Sequence, residues 1–170
     1  MATLNRTPSA VLAPRSEAVK IAGRASPPHV LRCLVVSLSA ERRRLIRTAA
    51  EAQAWDAIVC RDAGEFLRVA FKRSVPLVIV DMPPEGAVAY GEMRDVTERV
   101  KQMTQSLMLV TGAGAGPEEI WARSLGAWGY LNEANSQRGF EFVLSEARNA
   151  IARNSPQFGA IAFETLLESG

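Results

Sequence analysis

Residues 75–84 read VPLVIVDMPP, an apolar, mostly β-branched run that stops at a single carboxylate, Asp81. Leu77, Val78, Ile79 and Val80 leave no polar face, the pattern of a strand buried on both sides of a parallel sheet. In open α/β sheets the ligand crevice lies beyond the carboxyl ends of the strands. An acid at that end, followed by a proline-bearing turn, makes Asp81 the first candidate for chemistry, weighed against an ordinary strand-ending acid that ties down its loop.

The chain of 170 residues is 48% hydrophobic and 22% charged, an ordinary composition for one domain with a real core. No apolar run reaches the roughly 18 residues of a membrane span, and the first 30 residues hold no continuous apolar segment of signal-peptide type. A cytoplasmic protein that does not bind a membrane is the expectation. Cys33 and Cys60 fall in separate strands, without metal-ligand or redox spacing, and read as small buried apolar residues. A net charge of +2 is too small to argue for nucleic acid.

On both sides of the central strand the apolar period alternates between strand and helix. LRCLVVSL (31–38) is a strand; Ser39 caps a helix carrying Leu45, Ile46, Ala49 and Ala50 at helical spacing. Arg42, Arg43, Arg44 and Arg47 crowd that helix and read as a solvated face. DAIVCRD (56–62) is a second strand, and Asp62 with Glu65 opens a helix whose buried face is Phe66, Leu67, Ala70 and Phe71. Tyr90, Met93, Val96, Val100 and Met103 mark the third helix. SLMLVT (106–111) is the fourth strand, and the GAGAG run at 112–116 reads as a flexible connector, since it lacks the Lys-Ser/Thr of a phosphate loop. Ile120, Trp121 and Leu125 belong to a fourth helix, WGYL (128–131) to a fifth strand, and Phe140, Val143, Leu144, Ala147 and Ile151 to a fifth helix. Residues 1–29, which end in the only histidine, His29, read as a disordered tail, 30–155 as the domain, and 156–170 as a second tail with room for a short helix bearing Phe163, Leu166 and Leu167. Five strand-helix alternations argue a parallel sheet covered on both faces.

These landmarks resemble the receiver domain of bacterial response regulators over about residues 31–154: an acid ends strand three (Asp81), a hydroxyl ends strand four (Thr111), and LGAWGYL (125–131) is similar to the Gly-Ala-x-x-Tyr-Leu of the family's fifth strand. The resemblance implies a flavodoxin-like, doubly wound five-stranded parallel sheet of order 2-1-3-4-5. It matches Asp81 to the phospho-acceptor, Thr111 to the residue that follows the phosphoryl group, and Tyr130 to the aromatic that changes rotamer with it. It also implies that helix four, strand five and helix five form the surface for a signalling protein or a second copy, with Trp128 and Trp121 on that face.

Two parts of the family site are missing. Where receivers carry the acid pair that binds Mg²⁺, this chain has Ser37 and Leu38, and Glu133 stands in place of the lysine at the end of strand five. Without the ion, charge developing on a transferred phosphoryl group is not neutralised. The reading is therefore a degenerate, pseudo-receiver signalling module that binds a protein partner, with no cofactor, no metal and no catalytic residues. The alternative is a response regulator phosphorylated at Asp81 by an atypical route, the only case in which Mg²⁺ is required. Glu133 as a transplanted metal ligand beside Asp81 is a weaker variant of it. An unrelated small α/β enzyme would want a nucleophile with its base, and Ser37 has no core histidine to serve it.

Overall fold

The computed structural model describes residues 30–114, 116–132 and 136–154. Both tails, His29 and Glu133 lie outside the described residues. Five strands, β1 (Leu31–Ser37), β2 (Trp55–Cys60), β3 (Leu77–Asp81), β4 (Leu107–Gly112) and β5 (Gly129–Asn132), alternate with α1 (Ala40–Ala52), α2 (Ala63–Lys72), α3 (Tyr90–Met103), α4 (Gly116–Ser124) and α5 (Gln137–Asn154). The sheet is wholly parallel, in the order β2-β1-β3-β4-β5. This is the doubly wound, flavodoxin-like arrangement, with its switch point between β1 and β3.

Strand parity divides the core. Cys33, Val35, Leu77, Ile79 and Leu109 pack with Ile46, Ala49 and Ala50 of α1 and Phe140, Leu144 and Ala147 of α5. Leu34, Val36, Val78, Val80, Met108 and Val110 face Phe66 of α2, Met93, Val96 and Val100 of α3, and Trp121 of α4. All five residues of β3 are buried, as its unbroken apolar run requires.

Helix starts follow the capping chemistry. Ser39 accepts a hydrogen bond from Arg42 N, and Asp62 accepts one from Glu65 N at 2.7 Å. Glu65 reaches back to the N–H of Arg61 at 2.9 Å, one residue earlier than a standard capping box would. Between α1 and β2 the chain turns through Ala54 at φ 54, a left-handed conformation strained for alanine, while Arg148 of α5 donates to the carbonyls of Gln53 and Ala54 and holds the turn.

Some side chains expected inside lie outside. Phe71 is 66% exposed and Ile120 70%; Phe71 falls off the stripe formed by Ala63, Phe66 and Ala70, and Ile120 off that formed by Glu118, Trp121 and Ala122. Met103, in the last turn of α3, is also exposed, and Leu125 follows α4 instead of belonging to it. Cys33 and Cys60 are free and buried, three register positions apart across the β1–β2 pair, and burial pushes both thiols up to about 12.

Candidate functional site

Register brings three polar side chains together at the carboxyl end of the sheet. Ser37 pairs with Asp81 and Asp81 with Thr111, so adjacent strands about 4.8 Å apart place them side by side. All three share the parity of Val35, Ile79 and Leu109, on the side of the sheet covered by α1 and α5. The Ser37 hydroxyl donates to Asp81 Oδ2 at 2.6 Å, and the Thr111 hydroxyl donates to Asp81 Oδ1 at 2.6 Å. Ser37 is itself oriented by the N–H of Ser39, which donates to its hydroxyl oxygen at 3.2 Å.

The strongest partner of Asp81 comes from α1. Arg42 reaches Asp81 Oδ1 with Nη2 at 2.6 Å and Nε at 3.1 Å, and its Nη2 lies 3.2 Å from the Thr111 hydroxyl. Its guanidinium also stands over the Phe140 ring, 5.4 Å from the centroid. The arginines of α1 are therefore not one solvated face. Arg42 belongs to the site, and Arg43 donates to the carbonyls of Ser37 and Leu38. The sequence carried a signal for this: Arg42 stands four residues before Ile46 and seven before Ala49, on the same helical stripe as the buried residues.

A Mg²⁺ site does not fit the described residues around Asp81. An ion at Asp81 would need carboxylates beside it; Ser37 is neutral, Leu38 is apolar, and a guanidinium is bonded to the oxygen such an ion would coordinate. Among the described residues no group of three or more His, Cys, Asp or Glu side chains could hold a metal. Next to Asp81 opens a cleft of about 460 Å³ whose walls include Leu38, Met82, Pro83, Pro84 and Ala113 around the Arg42–Asp81 pair.

Tyr130 is tied down separately. Its hydroxyl lies 2.8 Å from the carbonyl of Gly114 and 2.7 Å from Glu118 Oε1, one proton serving two acceptors. Burial, the bond to Glu118 and that carboxylate's charge raise the phenol well above its ordinary range; Tyr90, next to the same carboxylate, is pushed up to about 12, first by burial. Glu118 is 5% exposed and its Oε2 has no hydrogen-bond partner among the described residues. The glycines at 112 and 114 are explained by this buried acid, not by flexibility, since a Cβ at either position would collide with the Glu118 side chain. Glu118 stands three residues before Trp121, on the inward stripe of α4. Removing the Tyr130 hydroxyl would take from that buried carboxylate its donor at 2.7 Å, so Tyr130→Phe is expected to lower stability by about 2 kcal/mol in a urea melt. A Glu118→Met background should remove most of that difference; an unchanged penalty there would show that the hydroxyl acts elsewhere.

The two tryptophans assigned to a partner surface separate. Trp121 is 6% exposed, donates from Nε1 to Glu98 Oε1 at 2.8 Å and lies under the guanidinium of Arg94, so it is core between α3 and α4. Trp128 is 37% exposed, on the connection from α4 to β5.

No family model and no curated protein sequence matches the chain. Solved structures do. The chemotaxis response regulator CheY4 of Vibrio cholerae superposes with a TM-score of 0.59 at 19% identity, over 69% of this chain and 98% of that one. A response regulator receiver domain protein from Clostridium thermocellum gives 0.60 at 20% identity, covering 74% and 99%. A response regulator from Thermotoga maritima gives 0.60 at 18%, covering 69% and 97%. The chain has the CheY-like receiver fold, and the matched part of it accounts for nearly the whole of each of those chains.

Proposed function

We propose that this chain is a receiver-type signalling module that meets its protein partner without phosphorylation at Asp81. The observation that carries the reading is the guanidinium of Arg42, bonded at 2.6 Å to the carboxylate that receivers phosphorylate. A carboxylate oxygen held by a guanidinium and a hydroxyl is a poor nucleophile toward a phosphoryl donor, because its lone pairs are engaged and an attack must first break a charge-assisted bond. The same contacts hold Thr111 against Asp81, the position to which the resemblance has it move on phosphorylation, and Glu118 holds Tyr130. Arg42 and Glu118 thus take over, inside the chain, the positioning that a phosphoryl group would otherwise supply. In this reading the function does not depend on phosphotransfer, and the module is not an enzyme.

Acetyl phosphate with Mg²⁺ is the direct test. The purified chain should gain no mass, and Mg²⁺ or Mn²⁺ in the millimolar range should leave its melting temperature unchanged, since only a native-state ligand raises it. An acyl-phosphate on Asp81, abolished by Asp81→Asn, would establish the phospho-accepting alternative instead.

The partner surface in this reading is the edge made by α4, β5 and α5, where Ile120, Trp128 and Phe142 are exposed apolar side chains. Trp128→Ala should keep a melting temperature close to wild type and weaken self-association or partner capture at least roughly tenfold, about 1.4 kcal/mol. A folded variant that binds normally in analytical ultracentrifugation and in pull-down would move the interface elsewhere.

A further inference from the structure

We propose that the groove between the first two turns of α1 and the carboxyl end of the edge strand β2 binds a small ligand carrying two or more phosphate groups. The groove has a volume of about 290 Å³ and is lined by Ala40, Val59 and four arginines, Arg43, Arg44, Arg47 and Arg61. It lies at the β2 edge, outside the Arg42–Asp81 site, and does not depend on how that site is read.

The helix by itself does not favour Arg43, Arg44 and Arg47 at these positions. Arg43 and Arg44 close the first turn of α1, which already carries the positive end of the helix dipole, whereas cations are stabilised at the other end. Arg43 and Arg47, four residues apart, and Arg44 and Arg47, three apart, are near neighbours on the helix surface, where like charges repel. Arg43 is anchored on the carbonyls of Ser37 and Leu38, which do not neutralise it. Among the described residues no carboxylate comes within ion-pair distance of Arg43, Arg44 or Arg47, and Arg61 has only Glu65, at 3.9 Å. The concentration of charge is local, because the whole chain carries only +2.

Four arginines lining one concavity suit phosphate in particular, since each guanidinium offers a planar fork that can bond two oxygens. The small volume fits a compact polyanion such as a diphosphate group, whose oxygens sit close enough to meet several forks at once. An extended nucleic acid would call for a basic stripe, which a single groove on a nearly neutral chain does not supply.

Pyrophosphate and ATP, each without divalent metal, are titrated into the full chain by calorimetry and thermal shift, with a glutamate-rich peptide and a single-stranded oligonucleotide of matched charge beside them. Saturable binding of both phosphate compounds is expected, weakened at least tenfold in Arg44→Gln/Arg47→Gln and unchanged in Arg73→Gln, at the far end of α2. The unliganded double variant should melt no lower than wild type, because it loses like-charge repulsion; if it does melt low, Arg61→Gln, which lies in a turn, reads the same loss of binding. The proposal is overturned if neither phosphate compound binds saturably, if Arg73→Gln weakens binding as much, or if the peptide or the oligonucleotide binds more tightly than pyrophosphate.

Discussion

Arg42→Ala is expected to destabilise the chain by about 3 kcal/mol, a fall of about 10 °C in melting temperature. Asp81 is 7% exposed, and its charge is balanced by the guanidinium at 2.6 Å. Truncating Arg42 leaves that charge nearly buried with two hydroxyl donors, Ser37 and Thr111, which solvate but do not neutralise it. Removing one partner of a buried pair generally costs about 3–5 kcal/mol; the surviving hydroxyl bonds put this case at the lower end. Asp81→Asn should cost less, since the side chain of Arg42 is 20% exposed and can turn its freed donors to water. The double variant should then be more stable than the sum of the single changes allows, by at least about 1 kcal/mol. Urea melts of the four proteins measure this coupling. Additive losses, or an Arg42→Ala protein as stable as wild type, would mean that the ion pair does not hold the site together.

The expected Arg42 effect marks where sequence reasoning stopped. The sheet was legible because every residue of β3 is buried, so its apolar run admits no surface strand, and because Ser39 and Asp62 cap α1 and α2 as their types suggest. Asp81, Thr111 and Ser37 were legible as strand-end residues, and parallel register then made them neighbours. Arg42 was obscured by its company: in a run of three arginines composition suggests a wet surface, and only the phase of the helix, through Ile46 and Ala49, separates the first from the others. Glu118 was hidden in the same way. A glutamate early in a helix normally serves the dipole from solvent, but its offset from Trp121 turns it inward, and Gly112 and Gly114, six and four residues before it, leave the room. Charged residues on buried stripes violate the pattern from which such stripes are recognised, so the phase has to be taken from their apolar neighbours.

Trp121 supplies the largest expected loss. Trp121→Ala should cost about 4 kcal/mol and lower the melting temperature by roughly 10–15 °C, because truncating a buried aromatic leaves a cavity that its surroundings fill only in part. The ring is packed in the core with Met93, Val96 and Val100 of α3, with Arg94 4.8 Å from its centroid. The hydrogen bond to Glu98 adds little, since that carboxylate's side chain is 39% exposed and regains water when the indole is gone. Trp121→Phe, which keeps much of the volume and none of the bond, should accordingly lose only about 1–2 kcal/mol. Trp128→Ala should lose less than about 1 kcal/mol, since a side chain more than a third exposed leaves little cavity when truncated. Thermal melts of the three variants under one condition rank them. If Trp121→Ala melts within a few degrees of wild type while Trp128→Ala unfolds, the two tryptophans have exchanged roles, and the partner surface lies on the α3–α4 side of the sheet.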